Sequence, residues 1–146
     1  MDYNGTAGHD TFIGTNNPDT AHGNGGNDVI LGNAGADLLI GGGGRDRFVF
    51  LALSDSRPGG PDEVIDFKPA AGELIDVSAI DADLVFPGDQ AFFFSPVFRG
   101  IPGEAVRTYF AGPDITTLQL DQDGDAEADF TLIIRGDHTA SAGFVL

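Results

Sequence analysis

Gly5 to Val49 reads GTAGHDTFI, GTNNPDTAH, GNGGNDVIL, GNAGADLLI, GGGGRDRFV, five nonapeptides with nothing left over. Aspartate stands sixth in each, at Asp10, Asp19, Asp28, Asp37 and Asp46, while glycine opens every unit and returns fourth in all but the second. Six residues of turn followed by three of strand fit this pattern. Glycine accepts positive φ and close backbone approach at little steric cost, and a three-residue strand points its middle side chain to the face opposite its flanks. Phe12, Ala21, Ile30, Leu39 and Phe48 are therefore the inward residues. Phase excludes two other glycine-rich architectures: collagen needs glycine every third residue, and a flexible linker has no use for aspartate locked to a period of nine.

The units resemble the G-G-x-G-x-D-x-U-x repeat of RTX proteins. That resemblance implies a parallel β-roll with two units per coil, so that each turn faces the turn 18 residues later. Asp10 then pairs with Asp28, Asp19 with Asp37, and Asp28 with Asp46. Two aspartates and several turn carbonyls make a set of about six hard oxygens, which suits Ca²⁺ and not the reluctantly dehydrated Mg²⁺. The candidate ligands are Gly5, Ala7, Gly8 and Asp10 in the first unit, Gly14, Asn16, Asn17 and Asp19 in the second, and Gly23, Gly25, Gly26 and Asp28 in the third. Gly32, Ala34, Gly35 and Asp37 follow in the fourth, and Gly41, Gly43, Gly44 and Asp46 in the fifth. The second unit, with Thr15, Asn17 and Pro18 in its turn, is expected to hold the weakest site. Nine residues past Asp46 comes Asp55, in register to face Asp37 and to make a fourth site, for about four ions in the roll.

Cysteine is absent and the formal net charge is −16. Such a charge argues against nucleic acid and anionic membrane surfaces as partners. It also repels itself in a compact fold, which four Ca²⁺ would half offset. Calcium at the levels such modules need is an extracellular commodity, and a thiol-free chain suits an oxidising exterior. No stretch reaches the ~18 apolar residues of a membrane-spanning helix, and Met1 to Asn4 is no signal peptide. The repeats begin after four residues, as in a module cut from a longer chain; a free-standing protein starting at Met1 is the other reading.

One all-β domain over residues 1–146 is expected, with the parallel β-roll at 5–55 and an antiparallel β-sandwich cap at 56–146. The strand flanks Ile13, Val29, Leu31 and Val49 on one sheet, and Leu38 and Ile40 on the other, are apolar. A sheet apolar on both faces is normally covered, so residues after 50 are expected to pack over the roll. Glu63 to Phe67 and Leu74 to Val77 alternate as strands around a turn at Lys68 to Glu73, and Ser78 to Asp83 has the length of one helical turn. Strands are expected at Ala91 to Phe94, Ala105 to Phe110, Thr116 to Leu120, Phe130 to Ile134 and Phe144 to Leu146, with twelve phenylalanines supplying core.

Asp121, Asp123, Asp125 and Asp129 lie at positions 1, 3, 5 and 9 of an acidic loop. This spacing resembles other calcium loops and offers one more ion site; a merely solvated hairpin loop is the equal alternative. It is not an EF-hand, because Ala126 stands where that loop needs glycine and Leu132 where it needs the bidentate glutamate. Catalysis finds no starting point. His9, His22 and His138 form no H-E-x-x-H, and there is no cysteine, G-x-S-x-G or phosphate loop.

Beyond the repeats, Asp46-Arg-Phe-Val-Phe, Ser54-Asp55-Ser56, Pro61-Asp62-Glu-Val-Ile-Asp66-Phe67 and Ile75-Asp76-Val-Ser78-Ala-Ile80-Asp81-Ala resemble the C-terminal domain of serralysin-type metalloproteases. Gly103-Glu104-Ala-Val, Ala128-Asp129-Phe130 and the terminal Phe144-Val-Leu are similar to the same family. The resemblance implies a non-catalytic calcium-binding module behind an upstream catalytic domain, monomeric, secreted to the extracellular space by the type I machinery through an uncleaved C-terminal signal. It also implies that Asp55 and Asp62 cap the calcium of the last repeat. Gly143 stands where serralysin tails often carry an acidic residue. The mannuronan epimerase R-modules have similar repeats, which implies as an alternative a polysaccharide-binding module; the absence of tryptophan and the presence of only two tyrosines weigh against it.

Overall fold

Each x-U-x triplet forms a three-residue strand whose middle side chain is buried. The computed structural model describes residues 1–140 and 142–146. β1 (Asp2–Asn4), β2 (Thr11–Ile13), β3 (Thr20–His22), β4 (Val29–Leu31), β5 (Leu38–Ile40), β6 (Arg47–Val49), β7 (Asp62–Val64) and β8 (Leu74–Asp76) alternate between two sheets. Thr11 lies against Val29, Thr20 against Leu38 and Val29 against Arg47, all parallel. The offset is 18 residues, so two units make one coil. Phe12, Ala21, Ile30, Leu39 and Phe48 are each at most 2% exposed and stack between the sheets.

The chain completes itself with β9 (Phe93–Phe94), β10 (Glu104–Phe110), β11 (Ile115–Asp121), β12 (Phe130–Arg135) and β13 (Phe144–Val145). One sheet runs β1-β3-β5-β7-β12-β11-β10-β9 and the other β13-β8-β6-β4-β2. β12 joins β7 in parallel, and among the described strands the antiparallel pairs are β10 with β11 and β11 with β12. The cap thus extends both sheets of the roll along its axis, and the core passes without a break from Phe48 and Phe50 to Phe130, Leu132 and Leu118. Phe50 meets Phe130 edge to face at 5.4 Å.

Three expectations from the sequence are corrected, and one strand is added. The stretches around Glu63 and Leu74 are not neighbours: β7 lies on β5 and β8 on β6, in different sheets. Alternation looks the same in a hairpin and in two half-coils of a roll, and parallel stacking here carries on past Asp55. The cap does not cover the sheet faces; Ile13 is 62% exposed, and Val29, Leu31, Val49, Leu38 and Ile40 are half-buried by their own neighbours. Ser78 to Asp83 is a run of turns without a helical segment. Asp2–Asn4, not anticipated as a strand, adds to β3, with Tyr3 in the U position packing on Phe12 at 4.9 Å.

Candidate metal centre

The aspartates tie successive coils together through one carboxylate oxygen. The backbone N–H of Asp10 donates to Oδ1 of Asp28 at 2.8 Å, that of Asp19 to Asp37 at 2.8 Å, that of Asp28 to Asp46 at 3.0 Å, and that of Asp37 to Asp62 at 2.8 Å. Two columns of turns result. Turns ending at Asp10, Asp28 and Asp46 lead into one sheet, and turns ending at Asp19, Asp37 and Asp62 into the other.

The second oxygen separates early units from late ones. In the first two, the second residue is threonine: Thr6 N–H donates to Asp10 Oδ2 at 2.6 Å and Thr15 N–H to Asp19 Oδ2 at 2.5 Å. Their hydroxyls accept from Gly8 and Asn17, both at 3.1 Å, closing the turns locally. In the later units the second residue is left-handed, at Asn24 (φ 70°), Asn33 (φ 60°) and Gly42 (φ 95°). The N–H is turned away, and Oδ2 of Asp28, Asp37 and Asp46 is buried without a hydrogen-bond partner. Opening glycines crowd this oxygen. A Cβ at Gly23 would fall on Asp28 Oδ2 and the Gly41 carbonyl oxygen, one at Gly32 on Asp37 Oδ2, and one at Gly41 on Asp46 Oδ2. Gly5 and Gly14 stand likewise beside Asp10 and Asp19, 2.9 and 2.8 Å from Oδ2 to the added carbon. Turns also stack through backbone: Gly25 bridges Gly43, Gly26 N–H donates to the Gly43 carbonyl at 2.8 Å, and Gly35 approaches the Asn17 carbonyl.

Asp55 does not take the place across from Asp37. It closes its own turn by accepting at Oδ2 from Leu51 N–H (2.7 Å) and Ala52 N–H (3.1 Å), as Asp10 and Asp19 do. The next acid of the column, Asp62, comes seven residues after Asp55 and opens the strand over β5. Ser56 pins the stretch between them: its hydroxyl accepts from Asp62 N–H at 2.8 Å and donates to the Thr131 carbonyl at 2.6 Å. The other column ends on a residue the sequence reading missed, Glu73. Directly before Leu74, which pairs with Arg47, it occupies the position across from Asp46. Glu73 is fully buried; Oε2 accepts from Lys68 N–H at 2.6 Å, while Oε1 has no partner. A signal existed, because Asp62-Glu-Val-Ile and Glu73-Leu-Ile-Asp both repeat the acid-x-U-x half of the nonapeptide without its glycines.

Oδ2 of Asp28, Asp37, Asp46 and Asp62 and Oε1 of Glu73 are thus five buried carboxylate oxygens without a hydrogen bond. Burial pushes Asp62 up to about 8, with the charges of Asp37 and Asp55 adding to the effect, and Asp37 up to about 6, with Asp19 and Asp55 adding. Burial raises Asp46 and Glu73 as well. Asp10 goes the other way, held down chiefly by the Thr6 N–H. Burying charge without a partner is costly, and stacking it on like charge adds to the cost. A bare anionic oxygen in a cradle of glycine backbone and carbonyl oxygen fits a hard divalent cation.

The loop after β11 is built differently. Asp121, Asp123 and Asp129 offer oxygens within 4.8 Å of one another, and Asp125 stands outside the group. Both oxygens of buried Asp121 already accept backbone bonds, from Gly124 at 2.7 Å and Ala126 at 3.0 Å. The carboxylates of that loop thus bond to its own backbone and also come close enough together to hold an ion. Of the histidines, exposed His9 bonds the Asn27 carbonyl at 3.0 Å, and His138 packs on Phe67.

The chain is similar to parts of several known proteins. Metallopeptidase AprA of Pseudomonas marginalis is 47% identical over 137 residues, covering 94% of this chain and 27% of that protein. Serralysin A of Dickeya chrysanthemi is 34% identical over 99 residues, covering 68% and 20%. The chain thus spans about a quarter or less of the curated relatives it matches. Among solved structures, the AlgE6R3 subunit of the Azotobacter vinelandii mannuronan C5-epimerase superposes with a TM-score of 0.58 at 28% identity, over 97% of this chain and 80% of that one. Residues 5–146 match the family described as Peptidase M10 serralysin C terminal, and the chain belongs to that family.

Proposed function

We propose that the chain is a non-catalytic, calcium-folded module of a secreted bacterial protein, serving an attached protease domain upstream. The observation that carries this reading is the set of five unpartnered buried carboxylate oxygens in two columns. Asp10, Asp28, Asp46 and Glu73 would hold ions in one column, and Asp19, Asp37 and Asp62 in the other, together with carbonyls of the intervening turns. Bound Ca²⁺ supplies the positive charge that stacked carboxylates need. The residues do the rest: Oδ1 of the stacked aspartates fixes the register between coils, Oδ2 of Asp28, Asp37, Asp46 and Asp62 and Oε1 of Glu73 are left for the cation, and glycine lets the backbone approach. In a calcium-poor cytosol, repulsion among these aspartates favours the open chain suited to type I export, and folding follows outside the cell.

Far-UV circular dichroism and calorimetry of the chain with Ca²⁺ and with EGTA test the proposal. Calcium is expected to produce β signal and bind at several sites, and Mg²⁺ at equal ionic strength to fail. An unchanged β signal in EGTA would sink the claim that ions carry the fold. A second reading, a polysaccharide-binding module, is favoured by the likeness to the epimerase subunit. Titration with alginate and neutral glycans in Ca²⁺ separates the two, since the first predicts no heat.

A further inference from the structure

The chain's last strand hangs on the residue that closes one column. β8 is only three residues long and has a neighbour on each side. Toward β6, Leu74 N–H donates to the Asp46 carbonyl at 2.9 Å and Phe50 N–H to the Asp76 carbonyl at 2.9 Å. Toward β13, Ile75 N–H donates to the Gly143 carbonyl at 2.8 Å and Val77 N–H to the Val145 carbonyl at 2.9 Å. Among the described residues, β13 lies at the sheet edge with β8 as its one partner strand. Two residues on one partner cannot stand alone.

Side chains tie the same two places together. Gly143, at φ 89°, sits so close that an added Cβ would lie 2.8 Å from the Glu73 carbonyl oxygen and 3.0 Å from Phe67 and Pro69. Phe144 packs edge to face on Phe67 at 5.6 Å and Phe94 at 5.9 Å, and the Arg107 guanidinium lies 4.9 Å from its ring centre. These contacts reach the turn that Glu73 closes. On its other side, Glu73 Oε1 and Asp46 Oδ2 are buried and unpartnered across the β6–β8 step. Two such charges push β8 off β6 unless a cation lies between them.

We infer that Asp46 and Glu73 form a Ca²⁺ site at the end of their column whose filling docks β13 on β8, so that residues 144–146 are free before calcium binds and held afterwards. The inference rests on the reading of the columns as calcium sites, and adds to it a closing residue and a conformational consequence. By linkage, whatever factor calcium contributes to docking, docking must return to calcium affinity.

Release of Leu146 and Val145 by a carboxypeptidase, followed by mass spectrometry on the full chain, reads the docked state. In Ca²⁺ release is expected to be at least about tenfold slower than in EGTA. Glu73→Gln should lose most of that protection while calcium still induces β signal, whereas Asp62→Asn, in the other column, should keep more of it. If calcium folds the wild-type chain and the end is cut as fast as before, this inference fails and the calcium reading survives. If calcium changes neither β signal nor cutting, both fail. Should Glu73→Gln not fold, deletion of residues 144–146 decides: calorimetry is expected to show at least one site weakened severalfold, and unchanged affinities overturn the coupling.

Discussion

A single carbon shows how little room the turns leave. A Cβ on Gly44, at φ 130°, would land on the Gly26 carbonyl oxygen, whereas one on Gly59 would meet nothing within 4 Å. Gly44→Ala is therefore expected to lower the thermal midpoint in Ca²⁺ by many degrees or prevent folding, and Gly59→Ala to change it by about a degree or two, since the substitution also restricts the unfolded chain. Similar midpoints for both variants would contradict the stacking of turns. The aspartates rank in the same way. Asp28 accepts from Asp10 and donates to Asp46, so it bonds to repeat aspartates on both sides, while Asp19 donates forward to Asp37 and takes at Oδ2 the Thr15 N–H of its own turn. Asp28→Ala disturbs two junctions, at about 1–3 kcal/mol for each buried group left unmatched, and Asp19→Ala one. Calorimetry at fixed Ca²⁺ should show the larger drop in midpoint and ion count for Asp28→Ala; equal drops would count against two units per coil. These residues were legible because a period of nine is visible by counting. Asp62 and Glu73 were harder to place, because a seven-residue insertion shifts the first and the second carries one methylene more than the repeat's aspartate.

At the level of elements, the roll strands were readable because one buried residue between two outward flanks is all that each requires. The topology of the cap was not. Alternating sequences at β7 and β8 satisfy a hairpin as well as two half-coils, and only the stacking of Asp62 on Asp37 and of Leu74 on Arg47 selects the second. Nor could apolar flanks reveal that β12 would pair alongside β7 and leave Ile13 in solvent. The columns themselves predict a pH dependence. A carboxyl whose folded value is raised holds its proton more tightly in the fold, so without metal this term favours the fold in acid and is lost as pH rises through about 6 for Asp37 and about 8 for Asp62. Cation binding has the opposite sign, because it needs both groups ionised. Calcium affinity in that column should fall as pH drops from about 8 through about 6, well above the ~4 of an ordinary carboxyl. Binding near neutral pH should then release protons, seen as heat that varies with buffer ionisation enthalpy. Asp62→Asn should remove most of that release; buffer-independent heat in the wild-type chain would show that the carboxyls are already ionised.

Over the whole molecule, a formal charge of −16 meets a fold in which roll and cap share both sheets and one core. Neither half has a boundary at which to stop unfolding, since β12 needs β7, β13 needs β8, and Phe130 needs Phe50. Loss of the cations should therefore open the chain as a unit, and repulsion should then expand it. A compact chain of 146 residues has a radius of gyration of about 15 Å and an unfolded one about 40 Å. Small-angle scattering in EGTA at low salt is expected to give a value well above 25 Å, collapsing to about 15 Å as Ca²⁺ is added. Sodium chloride at about 0.15 M screens charges more than ~8 Å apart and should shrink the open chain somewhat. It supplies no ligand-bound charge between stacked carboxylates, so it should not restore the compact radius. A metal-free chain that scatters at about 15 Å in EGTA would mean that packing alone holds the columns together against their own charge.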